Sequence, residues 1–144
     1  MSSTKSIPSI KSVMTPFPHA VESEASILTA RAMMERLKIR HLPVTEKGEL
    51  VGIISDRDIS VALSLGQHIE DESLILVGDA CTVEPYTVDV DAKLDEVVLT
   101  MARKHIGSAL VLQNGSLTGI FTTTDACKFL GEFLQSFYEA PYKD

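Results

Sequence analysis

Two stretches of this 144-residue chain, GIISDRD at 52–58 and GIFTTTD at 119–125, place a hydroxyl three positions before an aspartate, behind a glycine and two apolar residues. The pairs are Ser55 with Asp58 and Thr122 with Asp125. One chemistry open to them is a capping box, in which the hydroxyl accepts from a free amide at a helix start and the acid reaches back to the cap's own amide. The other is ligand binding. A helix that follows a strand presents unpaired amides suited to phosphate. An ionised carboxylate in its first turn can accept from both hydroxyls of a ribose. Gly52 and Gly119, inside strand-like runs, permit close approach by a ligand or by another backbone. The residues alone leave both chemistries open.

Cations cluster near the first stretch. Lys38, Arg40, His41 and Arg57 could converge on phosphate, with the planar guanidinium fork best suited to two oxygens. The positions 67 residues after Arg40, His41 and Arg57 are Gly107, Ser108 and Thr124, with only Lys104 and His105 nearby. The two stretches are chemically unequal.

The elements that must position these groups are themselves repeated. A shift of 67 residues aligns 10–65 with 77–132 without a gap, and 14 of the 56 pairs are identical, including Thr15/Thr82, Val21/Val88, Gly52/Gly119 and Asp58/Asp125. Each copy reads as a short extended piece (Ala20-Val21, then Thr87-Val88), a helix, two apolar strands joined by a turn, and a second helix. Ile27, Ala30, Met34 and Leu37 recur at helical steps over about Ser26–Lys38, as do Leu94, Val97, Val98 and Met101 in the copy. Asn114-Gly115 predicts a tight hairpin. The predicted boundaries are a tail over 1–8, repeats over 9–65 and 76–138, an acidic linker over 66–75 and a tail over 139–144. The stripe Phe129, Leu130, Phe133, Leu134 and Phe137 in the last helix either closes the chain's own core or meets a second subunit.

Composition narrows the function. Hydrophobic residues make up 44% and charged residues 23% of the chain, which suits a well-filled core. A net charge of −7 opposes non-specific nucleic-acid binding, which needs clustered cations. The lack of a long apolar run or signal-like start leads to the expectation of a cytoplasmic chain with no membrane segment. Cys81 and Cys127 are too few for a disulfide framework and are expected as buried thiols. No spacing suggests a metal site, and no nucleophile arrangement or full glycine-rich phosphate loop suggests catalysis, so no catalytic residue, metal or required cofactor is expected.

With IKSVMT, IRHLPV and GIISDRD in the first copy, and VGDACT, IGSALV and GIFTTTD in the second, the chain from Ile10 to about Leu134 resembles the paired cystathionine β-synthase (CBS) domain, or Bateman module. Ser12 and Cys81 stand where that family often has an acid and a methionine. The resemblance implies an α+β fold of two pseudo-two-fold-related β-α-β-β-α repeats, with small sheets face to face, helices outside and two clefts between. It also implies adenosine ligands in those clefts: AMP, ADP or ATP, with S-adenosylmethionine or NAD as rivals.

By similarity, Asp58 and Asp125 hold ribose hydroxyls, and Ser55 and Thr122 lie beside sugar and phosphate. Thr15, Ala20 and Val21, with Thr82, Thr87 and Val88, line the base. Arg40, His41 and Arg57, whose second-copy counterparts include Ser108 and Thr124, contact phosphate as in nucleotide-sensing relatives such as the γ subunit of AMP-activated kinase. The expected protein is a regulatory module, homodimeric, that signals nucleotide occupancy to an unidentified regulated protein. The competing expectation is a structural dimerisation module whose acids are only caps.

Overall fold

The computed structural model describes residues 6–66 and 70–138. Its strands are β1 (Thr15–Pro16), β2 (Val21–Glu22), β3 (His41–Glu46), β4 (Glu49–Ser55), β5 (Thr82–Val83), β6 (Thr87–Asp89), β7 (Ser108–Gln113) and β8 (Ser116–Thr122). Its helices are α1 (Ile27–Leu37), α2 (Asp56–Leu65), the short α3 (Val77–Ala80), α4 (Leu94–Lys104) and α5 (Thr123–Phe137). The repeated strand, helix, hairpin and helix read from the sequence are all present.

Local chemistry explains the agreement. The Ser26 hydroxyl accepts from the Leu28 amide at the start of α1, and α1 and α4 end on residues in the left-handed conformation, Lys38 and His105. Both hairpins turn on two residues of positive φ, Lys47-Gly48 and Asn114-Gly115, the geometry that matches the twist of antiparallel strands. Ile27, Ala30 and Met34 bury one face of α1, while Leu94, Val97 and Met101 bury the matching face of α4.

The repeats are joined by exchange. Two four-stranded mixed sheets pack face to face with the helices outside, in the orders β2-β3-β4-β5 and β1-β8-β7-β6. β1 opens the first repeat yet pairs with β8 of the second, Thr15 opposite Ile120; β5 opens the second repeat yet pairs with β4 of the first, Thr82 opposite Ile53. Ile10 is fully buried in the second repeat's core with Phe121 and Val97, and its amide donates to Ala92 O at 2.8 Å. Val77 is fully buried in the first repeat's core with Leu42 and Ile54, its amide donating to Ala25 O at 2.8 Å. Each half is therefore closed by the opening segment of the other. The apolar runs of the hairpin strands are legible in the sequence, whereas β1 and β5 are two residues long and carry no such run.

Three sequence expectations need amendment. Ile75, at the end of the expected acidic linker, packs on the first core and its carbonyl accepts from Ile27 N at 2.9 Å; residues 67–69 of that linker, and the ends 1–5 and 139–144, lie outside the described residues. Cys81 is half-buried, but Cys127 is exposed on the outer surface of α5, because only Ala126 and Phe129 of its neighbours turn toward the core. The reading in which the stripe on α5 closes the chain's own core fails beyond Phe129. Leu130, Phe133, Leu134 and Phe137 are exposed, since the helix runs past the edge of the sheet it packs on.

The exchange creates a test at a related pair of glycines. A β-carbon on Gly52 would stand 2.6 Å from the Thr82 carbonyl oxygen, whereas one on Gly119 would meet the flexible side chain of Met14. Gly52→Ala is expected to cost about 1–3 kcal/mol, the range for overpacking, and Gly119→Ala less because Met14 can rotate away. Urea denaturation of both variants measures the difference, and equal losses would contradict the backbone origin of the constraint.

Candidate functional site

Both hydroxyl-aspartate pairs form capping boxes. Asp58 N donates to Ser55 Oγ at 3.1 Å while Ser55 N donates to Asp58 Oδ2 at 2.9 Å. Asp125 N donates to Thr122 Oγ1 at 3.3 Å and Thr122 N to Asp125 Oδ2 at 2.9 Å. Capping is compatible with a second role, because it engages Oδ2 of each acid and leaves Oδ1 without a protein hydrogen bond among the described residues.

Of the hollows described, one is lined by Asp125 and none by Asp58. A hollow of about 630 Å³ lies at the seam between the repeats. One wall carries Thr122, Thr123, Thr124 and Asp125, at the start of α5. The facing wall carries Lys38, Ile39, Arg40 and His41, between α1 and β3, with Asp56 at the start of α2. Thr15, Pro16, Phe17, Pro18 and His19, running out of β1, form its end. The cations of the first repeat thus face the carboxylate of the second, a juxtaposition that the strand exchange produces.

The amides at this helix start are partly spent. Thr123 N donates to Gly107 O at 3.1 Å, and the related Asp56 N donates to Arg40 O at 3.0 Å, so the first helical amides are closed to phosphate. Thr124 N has no hydrogen-bond partner among the described residues and borders the cavity. The site can therefore offer an amide, threonine hydroxyls and cations to an anion, and a carboxylate to a diol.

Other expected site residues lie elsewhere. Ser55 and Asp58 are half-buried and Arg57 exposed at the start of α2, outside this cavity, so Arg57 does not join Lys38, Arg40 and His41. Val21 is buried in the first core and Val88 packs on the second, and neither borders the Asp125 cavity. Ala20 and Thr82 are exposed and border none of the hollows described, and Ser108 is buried at the start of β7. Thr87 borders a different hollow of about 780 Å³ between the hairpin turns, where Glu49 is the sole ionisable lining residue. That hollow has no cation for a phosphate. The sequence reading missed Phe17 and His19; the signal available was an aromatic set between two prolines in TPFPH.

A CBS domain family model matches residues 10–65 and 77–132. The chain is 35% identical over 102 residues to the uncharacterized protein YlbB of Bacillus subtilis strain 168, covering 69% of this chain and 67% of that one. It spans only 23% and 22% of longer curated relatives, an L-aspartate semialdehyde sulfurtransferase and an inosine-5′-monophosphate dehydrogenase. Its fold is similar to that of a protein assigned to acetoin utilization (AcuB) from Vibrio cholerae, with TM-score 0.81, 25% identity and coverage of 94% of this chain and 100% of that one. It is also similar to a CBS domain pair crystallised with 5′-methylthioadenosine and S-adenosyl-L-methionine, with TM-score 0.79, 26% identity and coverage of 88% and 98%.

His41 gives the cavity wall a pH dependence. Burial lowers its imidazole below the ordinary histidine value; Asp56 and Asp58 pull the other way, and Arg40 adds to the lowering. With the folded value below the unfolded one, the unfolded chain binds the proton more readily as pH falls below about 6.5. Stability is therefore expected to decline as pH falls through that value and to level off below the folded value. His41→Gln should remove this component, and denaturant titrations between pH 5 and 7.5 check it; an unchanged slope would exclude His41 as the source.

Proposed function

Because the chain belongs to the CBS domain family, carrying two such domains in tandem, we propose that it is a non-catalytic regulatory module that binds an adenosine compound at the seam between them. The observation that carries this reading is the cavity in which Lys38 and Arg40 of one repeat face Asp125 of the other. A ribose diol suits the carboxylate. A phosphate suits the guanidinium, the ammonium and the free amide of Thr124. This division of charge favours AMP, ADP or ATP.

Occupancy becomes a signal through the same geometry. A ligand that touches both walls favours whichever relative placement of the repeats it fits better, and only by its difference in affinity between placements. The receiver is another protein or a second copy of the chain. The second copy has a physical candidate surface: Phe133 is 46% and Phe137 65% exposed, with their rings stacked at 5.3 Å. Leu130 and Leu134 extend the same apolar face, which supports a homodimer joined along α5.

An S-adenosylmethionine sensor is the second reading. It is favoured by the ligands of the similar CBS pair and by Asp56, which adds a negative charge to the wall that holds Arg40.

Thermal denaturation with AMP, ADP, ATP, NAD, 5′-methylthioadenosine and S-adenosylmethionine separates these readings. A ligand at 100 times its Kd stabilises by about 2.7 kcal/mol. AMP, ADP or ATP should shift the melt most, and Arg40→Ala should weaken AMP far more than 5′-methylthioadenosine. A largest shift with S-adenosylmethionine would select the second reading, and no shift with any compound would refute both. Light scattering on the eluting protein should give a dimer, converted to monomer by Leu134→Glu; a monomeric wild type would refute the α5 interface.

A further inference from the structure

The two clefts expected of a duplicated chain are not equivalent. Shifting each lining residue of the Asp125 cavity by 67 positions gives the place where a second ligand would sit, beside Asp58. Four of those exchanges remove or block a group that the Asp125 cavity offers.

The first is at the rim. Phe17 and Glu84 hold the same uncommon left-handed backbone, at φ 49° and 56°. Phe17 borders the Asp125 cavity with 84% of its surface exposed, so an aromatic face stands ready beside it. Glu84 brings an anion to the related position instead.

The second and third exchanges act together at the wall. Arg40 is replaced by Gly107 and His41 by Ser108. The His41 imidazole reaches across the pseudo-two-fold and covers Gly107, where a β-carbon would stand 3.0 Å from Nε2. No cation can project from Gly107, and the space it vacates is filled. The hollow beside it, of about 370 Å³, opens onto Val98, Met101 and Ala126 of α4 and α5, and Asp58 is not among its lining residues.

The fourth exchange is at the helix start. Asp56 replaces Thr123, and its Oδ1 accepts from Arg57 N at 2.9 Å, whereas the related Thr124 N is free of protein partners among the described residues. The chain's own acid occupies the amide that a phosphate would need. These four exchanges favour Asp125; set against them, Arg57 in place of Thr124 and Lys104 in place of Leu37 bring cations to the Asp58 side, where no aromatic rim or free helix amide accompanies them.

We propose that the chain binds one adenosine-type ligand, not two: it sits against Asp125 with Phe17 stacked on its base, and Asp58 serves only as a helix cap. This rests on the adenosine-binding reading above and adds the stoichiometry, the cleft and the stacking residue.

Isothermal titration of the full chain with AMP and with 5′-methylthioadenosine tests it. One ligand should bind per chain. Phe17→Ala should weaken binding by about tenfold, the scale of one base–aromatic stack, and Phe17→Glu by more. Asp125→Asn should weaken it by at least about tenfold, while Asp58→Asn leaves affinity unchanged. An asparagine side-chain oxygen can still accept from the Ser55 or Thr122 amide, so both variants should fold, and their melting curves verify that. Two ligands per chain, an Asp58→Asn loss matching that of Asp125→Asn, or full affinity in Phe17→Ala would each overturn the inference. Two per chain leaves the adenosine reading standing, whereas no binding of either probe, nor of ADP, ATP or S-adenosylmethionine, removes that reading as well.

Discussion

Thr15 and Thr82 open repeats whose sheets they do not enter. Each pairs with the last strand of the other repeat's hairpin, and just before each a buried residue, Ile10 or Val77, fills the other repeat's core. A repeat of about 60 residues buries too little surface to be stable alone. Here neither sheet has its fourth strand, nor either core its full complement of side chains, without the other copy. The exchange therefore couples stability to the relative placement of the halves. It also brings the residues that follow β1, which run back along β8 with Phe17 N donating to Thr118 O, into the cavity that Asp125 lines, together with the cations at the start of β3.

The aspartates show how a structural device and a binding group can be one side chain. A capping box uses one carboxylate oxygen and fixes the other in space with little rotational freedom, which lowers the cost of ordering it on a ligand. Asp58 and Asp125 share this device, each accepting from its cap amide at 2.9 Å. What differs is the neighbourhood: a borrowed loop with an exposed aromatic and a facing arginine at one, a histidine packed against a glycine beside the other's would-be cleft. Duplication preserved the cap, and substitution around it separated the two copies.

The apolar face of α5 follows from the same economy of size. The helix continues past the sheet it covers, so Ala126 and Phe129 reach the core while Leu130 through Phe137 do not. Gly131 lies within that helix without ending it, because the turns on either side continue its hydrogen bonding. A surface of this kind on a chain of net charge −7 offers attachment through apolar contact rather than through charge.

The amino-acid sequence by itself determined the duplication, the order of elements, the two hairpin turns, the helix starts and the two capping acids. These depend on local chemistry: the spacing of apolar residues, positive φ at Asn-Gly and Lys-Gly, and a hydroxyl three residues from an acid. The sequence showed the cations gathered around the Asp58 stretch and grouped Arg57 with Arg40. Only the tertiary structure decided that Arg40 faces the aspartate of the other repeat, that Val21 and Val88 turn inward, and that Phe17 stands at the cavity's rim. The reason is that β1 and β5 are two residues long, too short to carry a pattern, and their pairing is set by non-local burial. Which carboxylate meets which cation follows from that pairing, across more than 80 residues of chain between Arg40 and Asp125.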